Sequence, residues 1–70
     1  MGFGRLIRVR AHRRDPDAMI YVVAEAVSEK AIDILKVALD RASDEYEDLG
    51  GVSDSLLNSL ALQPGQFART

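Results

Sequence analysis

Between residues 4 and 12 the side chains alternate, with Ile7, Val9 and Ala11 on one side and Arg8, Arg10 and His12 on the other. That is the two-residue period of a strand with one buried face. The next segment, Arg13-Arg14-Asp15-Pro16-Asp17, has turn chemistry, because proline fixes φ and aspartate bonds nearby backbone amides. A second run, about 19–26, is rich in β-branched and aromatic residues (Ile20, Tyr21, Val22, Val23) and reads as another strand. The pair predicts a β-hairpin whose register is open. Directly opposed residues share a face. A loop with an odd number of residues therefore sets Tyr21 and Val23 beside Ile7 and Val9 in the core. An even loop turns Ile20, Val22 and Ala24 inward and places Tyr21 beside Arg8 and Arg10.

From residue 28 the period changes. Ser28 suits an N-cap, Glu29 suits the first turn, and Val27 is placed to pack on Ile32. Ile32, Leu35, Leu39, Ala42, Tyr46 and Leu49 recur at alternating spacings of three and four, which predicts one long amphipathic helix stopped by Gly50-Gly51. Ser53 then caps a short helix bearing Leu56, Leu57, Leu60 and Ala61, ended by Gln63-Pro64-Gly65. Residues 66–70 read as a tail or a short edge strand. The expected fold class is α+β: a β-hairpin (about 4–12 and 19–26) covered by a long amphipathic helix (about 29–48) and a short C-terminal helix (about 54–62), in a single small domain over 1–70. The alternative is an all-helical chain in which Asp15 caps and Pro16 opens a helix running through Met19.

With 70 residues the chain buries a smaller fraction of its surface than a large domain does. It has no cysteine, which excludes disulfides, thiolate catalysis and cysteine-based metal sites and suits an intracellular setting. Self-association is the expected source of further burial. The apolar stretch Ala18 to Val27 follows arginines as a secretory signal would, but Asp15-Pro16-Asp17 and Glu25 interrupt it. No run reaches the roughly 18 apolar residues of a membrane span. The expectation is a cytoplasmic protein without membrane contact.

Charge is unevenly spread. Arg5, Arg8, Arg10, Arg13 and Arg14 all lie in the first fourteen residues, whereas the segment from Asp15 onward holds eleven acids and four bases. The expectation is a basic surface on one element and an acidic surface on another. His12, the one histidine, follows no catalytic pattern, since the sequence sets no carboxylate, serine or second ligand beside it. Ser53-Asp54-Ser55 is explained by helix capping. Asp40, Asp44 and Asp48 at helical spacing form a solvated face rather than an oxygen cage, and no glycine pattern makes a phosphate loop.

No catalytic residue, cofactor, metal or small-molecule substrate is therefore expected. The function expected is a small non-enzymatic interaction or regulatory module, homodimeric and binding a partner protein. The alternative is nucleic-acid binding by the arginine-rich hairpin through Arg8, Arg10, Arg13 and Arg14, with Tyr21 stacking on bases if it faces outward. Against that alternative stands a simpler role for the arginines, pairing with the acids of the long helix.

Overall fold

In the computed structural model, which describes residues 4–12, 14, 16–41 and 43–70, the alternating N-terminal segment is a strand, β1 (Gly4–Arg10). It is one of two inner strands of the sheet. The apolar run is β2 (Met19–Val23), antiparallel to β1 with Ile7 opposite Tyr21 and Val9 opposite Met19. This is the odd register, so Tyr21 and Val23 join Ile7 and Val9 in the core. Then come α1 (Ser28–Leu39), β3 (Glu45–Val52), α2 (Asp54–Ser59) and β4 (Phe67–Arg69). The strands form one antiparallel sheet in the order β3-β1-β2-β4. The α+β class is as the sequence implies, with two strands more than the hairpin.

The long helix over 29–48 does not form. α1 ends at Leu39, Asp40 takes a left-handed conformation (φ 52°, ψ 43°), and residues 45–52 pair with β1 as a strand. A helix continued to residue 48 would leave β1 as an open sheet edge, paired with β2 alone. The strand gives β1 a second ladder instead. Gly50 and Gly51 do not stop a helix; they lie within β3, where the register shifts opposite Leu6 and Ile7 and Gly50 has φ 132°. That is a β-bulge, in which a residue without Cβ takes the positive φ at no steric cost. Asp48 steadies it by accepting the Gly50 N–H at 2.8 Å.

Smaller boundaries shift for local reasons. Val27 occupies the N-cap of α1, with no side-chain cap, and Ser28 is already helical. Ser53 does cap α2, accepting the Leu56 N–H at 3.2 Å. α2 stops at Ser59, short of the expected 62, because Ala61 is left-handed and the Leu62 N–H returns to the Leu57 carbonyl at 3.0 Å. The segment after Gln63-Pro64-Gly65 is the edge strand β4, paired through Tyr21–Arg69, Val22–Ala68 and Val23–Phe67.

Both sheet faces are used. Ala31 and Leu35 of α1 pack on Ile7, Val9, Tyr21 and Val23, with Tyr46 and Phe67 at the margins. Leu57 of α2 packs on Val22, Ala24 and Val52, beside Leu6 and Leu62, on the opposite face. This double cover explains why Tyr21, Val22 and Val23 are all buried in a strand whose neighbours alternate. Burying a side chain such as Leu35, Ile7, Val22 or Val23 fully is worth about 1.5–3 kcal/mol. α2 reaches the sheet over Gly4, where a Cβ would lie 2.5 Å from the Val23 carbonyl oxygen and 3.1 Å from Leu57 Cδ2. The Cα radius of gyration, 11.3 Å, matches the roughly 11 Å of a compact chain this long. Among the described residues no helix is long and apolar enough to cross a membrane.

Candidate functional site

β1 brings three arginines alongside β3, and each meets an acid there. Arg5 Nη2 lies 2.7 Å from Asp48 Oδ2. Arg8 Nη2 donates to both oxygens of Glu47, at 2.6 and 2.7 Å. Arg10 Nε donates to Glu45 at 3.1 Å and its Nη2 lies 4.0 Å from Glu47. Arg8, Arg10, Glu45 and Glu47 form a charge ladder on the sheet face opposite α1, beyond the part that α2 covers. The anticipated basic surface is thus locally neutral along β1. Its acids come from the run expected on the helix, presented instead by a strand.

The other site candidates scatter. Arg14 is exposed in the β1–β2 loop, where its N–H donates to His12 Nδ1 at 3.2 Å, and it has no carboxylate partner among the described residues. Arg13 lies outside the described residues. Tyr21 faces α1 at 7% exposure, on the side of the sheet away from Arg8 and Arg10, and makes an edge-to-face contact with Phe67 at 5.8 Å. It cannot stack on a base beside those arginines.

Two further features lie at the end and the edge of the sheet, the first without a signal in the sequence and the second in the segment read as a tail or a short edge strand. The Arg10 end carries a cavity of about 240 Å³ with three arginines from distant parts of the chain, Arg10, Arg41 and Arg69, in its wall. Tyr21, Met19, Val9 and Leu39 line it as well, and Asp17 adds one carboxylate. Arg41 is held beside it by a turn: Asp44 N–H and Tyr46 O–H both donate to the Arg41 carbonyl, at 3.1 and 2.8 Å, and the Arg41 guanidinium is 3.3 Å from the Asp44 carboxylate. Burial, then the Asp44 charge, pushes the Tyr46 hydroxyl above its ordinary pKa and keeps it a donor, although Arg41 opposes the shift. Lys36 sits 5.6 Å over the Tyr46 ring. No sequence motif marks this cavity, because its arginines belong to a strand end, a turn and an edge strand.

The second feature is the free side of β4. Ala24 N–H donates to the Gln66 carbonyl and Thr70 N–H to the Ile20 carbonyl, both at 2.8 Å. Antiparallel alternation then points the Ala68 amide and carbonyl at β2 and those of Phe67 and Arg69 outward. The opposite sheet edge, β3, is lined with Glu45, Glu47 and Asp48 and broken by the bulge, both of which discourage strand addition. Among the described residues no cluster of three His, Asp or Glu side chains is arranged to hold a metal ion.

No protein-family model, curated protein or solved structure matches this chain.

Proposed function

We propose that the protein is a non-enzymatic interaction module that acts as a homodimer, joined edge to edge through β4, and offers the combined surface to a partner protein. The observation that carries this is the self-complementary β4 edge. Two copies arranged antiparallel about Ala68 set Phe67 of one against Arg69 of the other, and the outward amides and carbonyls of both residues exchange four hydrogen bonds. Phe67 and Arg69 share the α1 side of the sheet, so each arginine lies by the other copy's ring, a contact worth about 0.5–1 kcal/mol at an exposed site. The product is a continuous eight-stranded sheet in which only the acid-lined β3 edges remain open. Support for a binding rather than a catalytic role comes from the polar side chains of the sheet, which are spent on structural pairs: Arg5 with Asp48, Arg8 with Glu47, Arg10 with Glu45.

Light scattering at tens of micromolar tests the reading. The wild type is expected at twice the chain mass. Arg69→Pro removes an outward-facing amide while sparing the ladder to β2, and is expected to run as a folded monomer. A wild type that is strictly monomeric under these conditions ends the proposal.

Nucleic-acid binding by the hairpin is the second reading, and the exposed Arg14, with no carboxylate partner among the described residues, favours it. Arg8 and Arg10 weigh against it, since a phosphate would have to displace Glu47 and Glu45. If it holds, labelled DNA or RNA is retarded at low salt, and Arg14→Ala weakens binding and lowers its salt dependence. Absence of retardation at low salt excludes it.

A further inference from the structure

The cavity at the Arg10 end of the sheet has donors that lack an acceptor of matching strength. Tyr21 is more than nine-tenths buried, yet among the described residues its hydroxyl donates only to Met19 Sδ, at 3.4 Å. Arg69 Nη1 approaches the same sulfur at 3.9 Å and has no carboxylate partner among the described residues. A thioether is a weak acceptor. Two donors, one of them charged, therefore converge on an atom that uses little of their capacity, in the wall of a cavity that a third element supplies with Arg41.

We propose that this cavity binds a small oxyanion, the phosphate or carboxylate group of a low-molecular-weight ligand. Arg69 and the Tyr21 hydroxyl are its direct donors, Arg41 adds charge from the α1 side, and the three arginines of the wall outnumber its one carboxylate, Asp17. Arginine suits this task because its planar fork of N–H groups matches the oxygens of carboxylate and phosphate. Val9, Met19 and Leu39 give the cavity an apolar floor for a short carbon body. At about 240 Å³ it falls below the roughly 300–1,000 Å³ of drug-sized ligand sites, which favours an ion or a small metabolite. Tyr46 contributes by fixing the Arg41 backbone at 2.8 Å. The proposal rests on the fold of one chain and does not require two copies to pair.

Titration by NMR with inorganic phosphate, and separately with butyrate, at ionic strength held constant with chloride, provides the test. Saturable shifts are expected at Tyr21, Arg41 and Arg69, with a Kd of about a millimolar. Response to phosphate alone, to butyrate alone or to both supports the site and identifies the head group it prefers. Arg69→Gln is expected to weaken binding at least tenfold. Tyr21→Phe, which keeps the ring in the core and removes only the hydroxyl, is expected to weaken it severalfold. Shifts that rise linearly for both anions and equal those from chloride overturn the proposal, as does an affinity unchanged by Arg69→Gln. The light-scattering mass of Arg69→Gln, which retains the β4 backbone edge, separates this result from loss of the dimer.

Discussion

Arg8 and Glu47 stand opposite one another on β1 and β3, and one guanidinium nitrogen bridges both carboxylate oxygens at 2.6 and 2.7 Å. The pair joins the two halves of the opening charge asymmetry across a single strand gap. The Arg8 side chain is 34% exposed and Glu47 44%, so solvent screens the attraction and its net worth is that of a surface pair. A double-mutant cycle with Arg8→Ala and Glu47→Ala, read by urea unfolding, is expected to give a coupling of about 0.5–1 kcal/mol. The coupling should shrink as salt is raised. No measurable coupling at low salt would show that the two side chains do not stabilise the β1–β3 ladder.

Asp48 contributes to the acid limb of stability. Its partial burial acts to raise the pKa, but Ser28, Arg5 and the Gly50 N–H, each bonding the carboxylate, outweigh that and hold it below the ordinary 3.8. A carboxyl whose folded pKa is depressed adds stability above its unfolded pKa, and this is lost as pH falls through the folded value. Unfolding free energy is therefore expected to decline as pH is lowered from about 3.8. Asp48→Asn should flatten the decline, and an unchanged acid limb in that variant would refute the assignment.

Gly4 is required by packing and not by its backbone angles. A Cβ there meets the Val23 carbonyl oxygen at 2.5 Å and Val52 Cγ2 at 2.8 Å, and the backbone of a central strand has little room to yield. Gly4→Ala is expected to cost about 1–3 kcal/mol, as overpacking does. Stability equal to wild type in denaturant unfolding would mean that α2 lies farther from the sheet.

α2 is fastened at two points of different strength. Leu57→Ala empties a side chain that is 5% exposed among Val22, Ala24 and Val52, with an expected cost of about 2–5 kcal/mol. Ser53→Ala removes the cap bond to Leu56, with an expected cost of about 0.5–2 kcal/mol. Amide exchange in residues 54–59 should accelerate in both variants, and more in the first. The reverse order would locate the anchor in the cap instead of the core.

Local sequence carried the elements whose pattern has one solution. The alternation of Ile7 and Val9 with Arg8 and Arg10 made β1, the apolar run made β2, Ile32, Leu35 and Leu39 at helical spacing made α1, and Ser53 opened α2. It did not carry β3, because Leu39, Ala42, Tyr46 and Leu49 continue the helical spacing while Glu45-Tyr46-Glu47 also alternates with period two. The signal that separates these is a match between distant segments: Arg8-x-Arg10 spaced as Glu45-x-Glu47, arginine opposite acid in each row. An isolated stretch cannot show it, since each half is an ordinary charged strand or helix face.

The tertiary structure decided where charge and aromatic groups point. The odd loop between β1 and β2 turned Tyr21 into the core, away from Arg8 and Arg10, and onto the wall of the cavity with Arg41 and Arg69. Pairing of β3 with β1 consumed Arg8 and Arg10, and pairing of β4 with β2 set Phe67 and Arg69 on an open edge. Composition and periodicity established an α+β chain with a basic start and an acidic remainder, because these are properties of neighbouring residues. Which arginines remain available to bind depends on contacts between residues about 20 to 60 positions apart, and only the closed sheet brings those together.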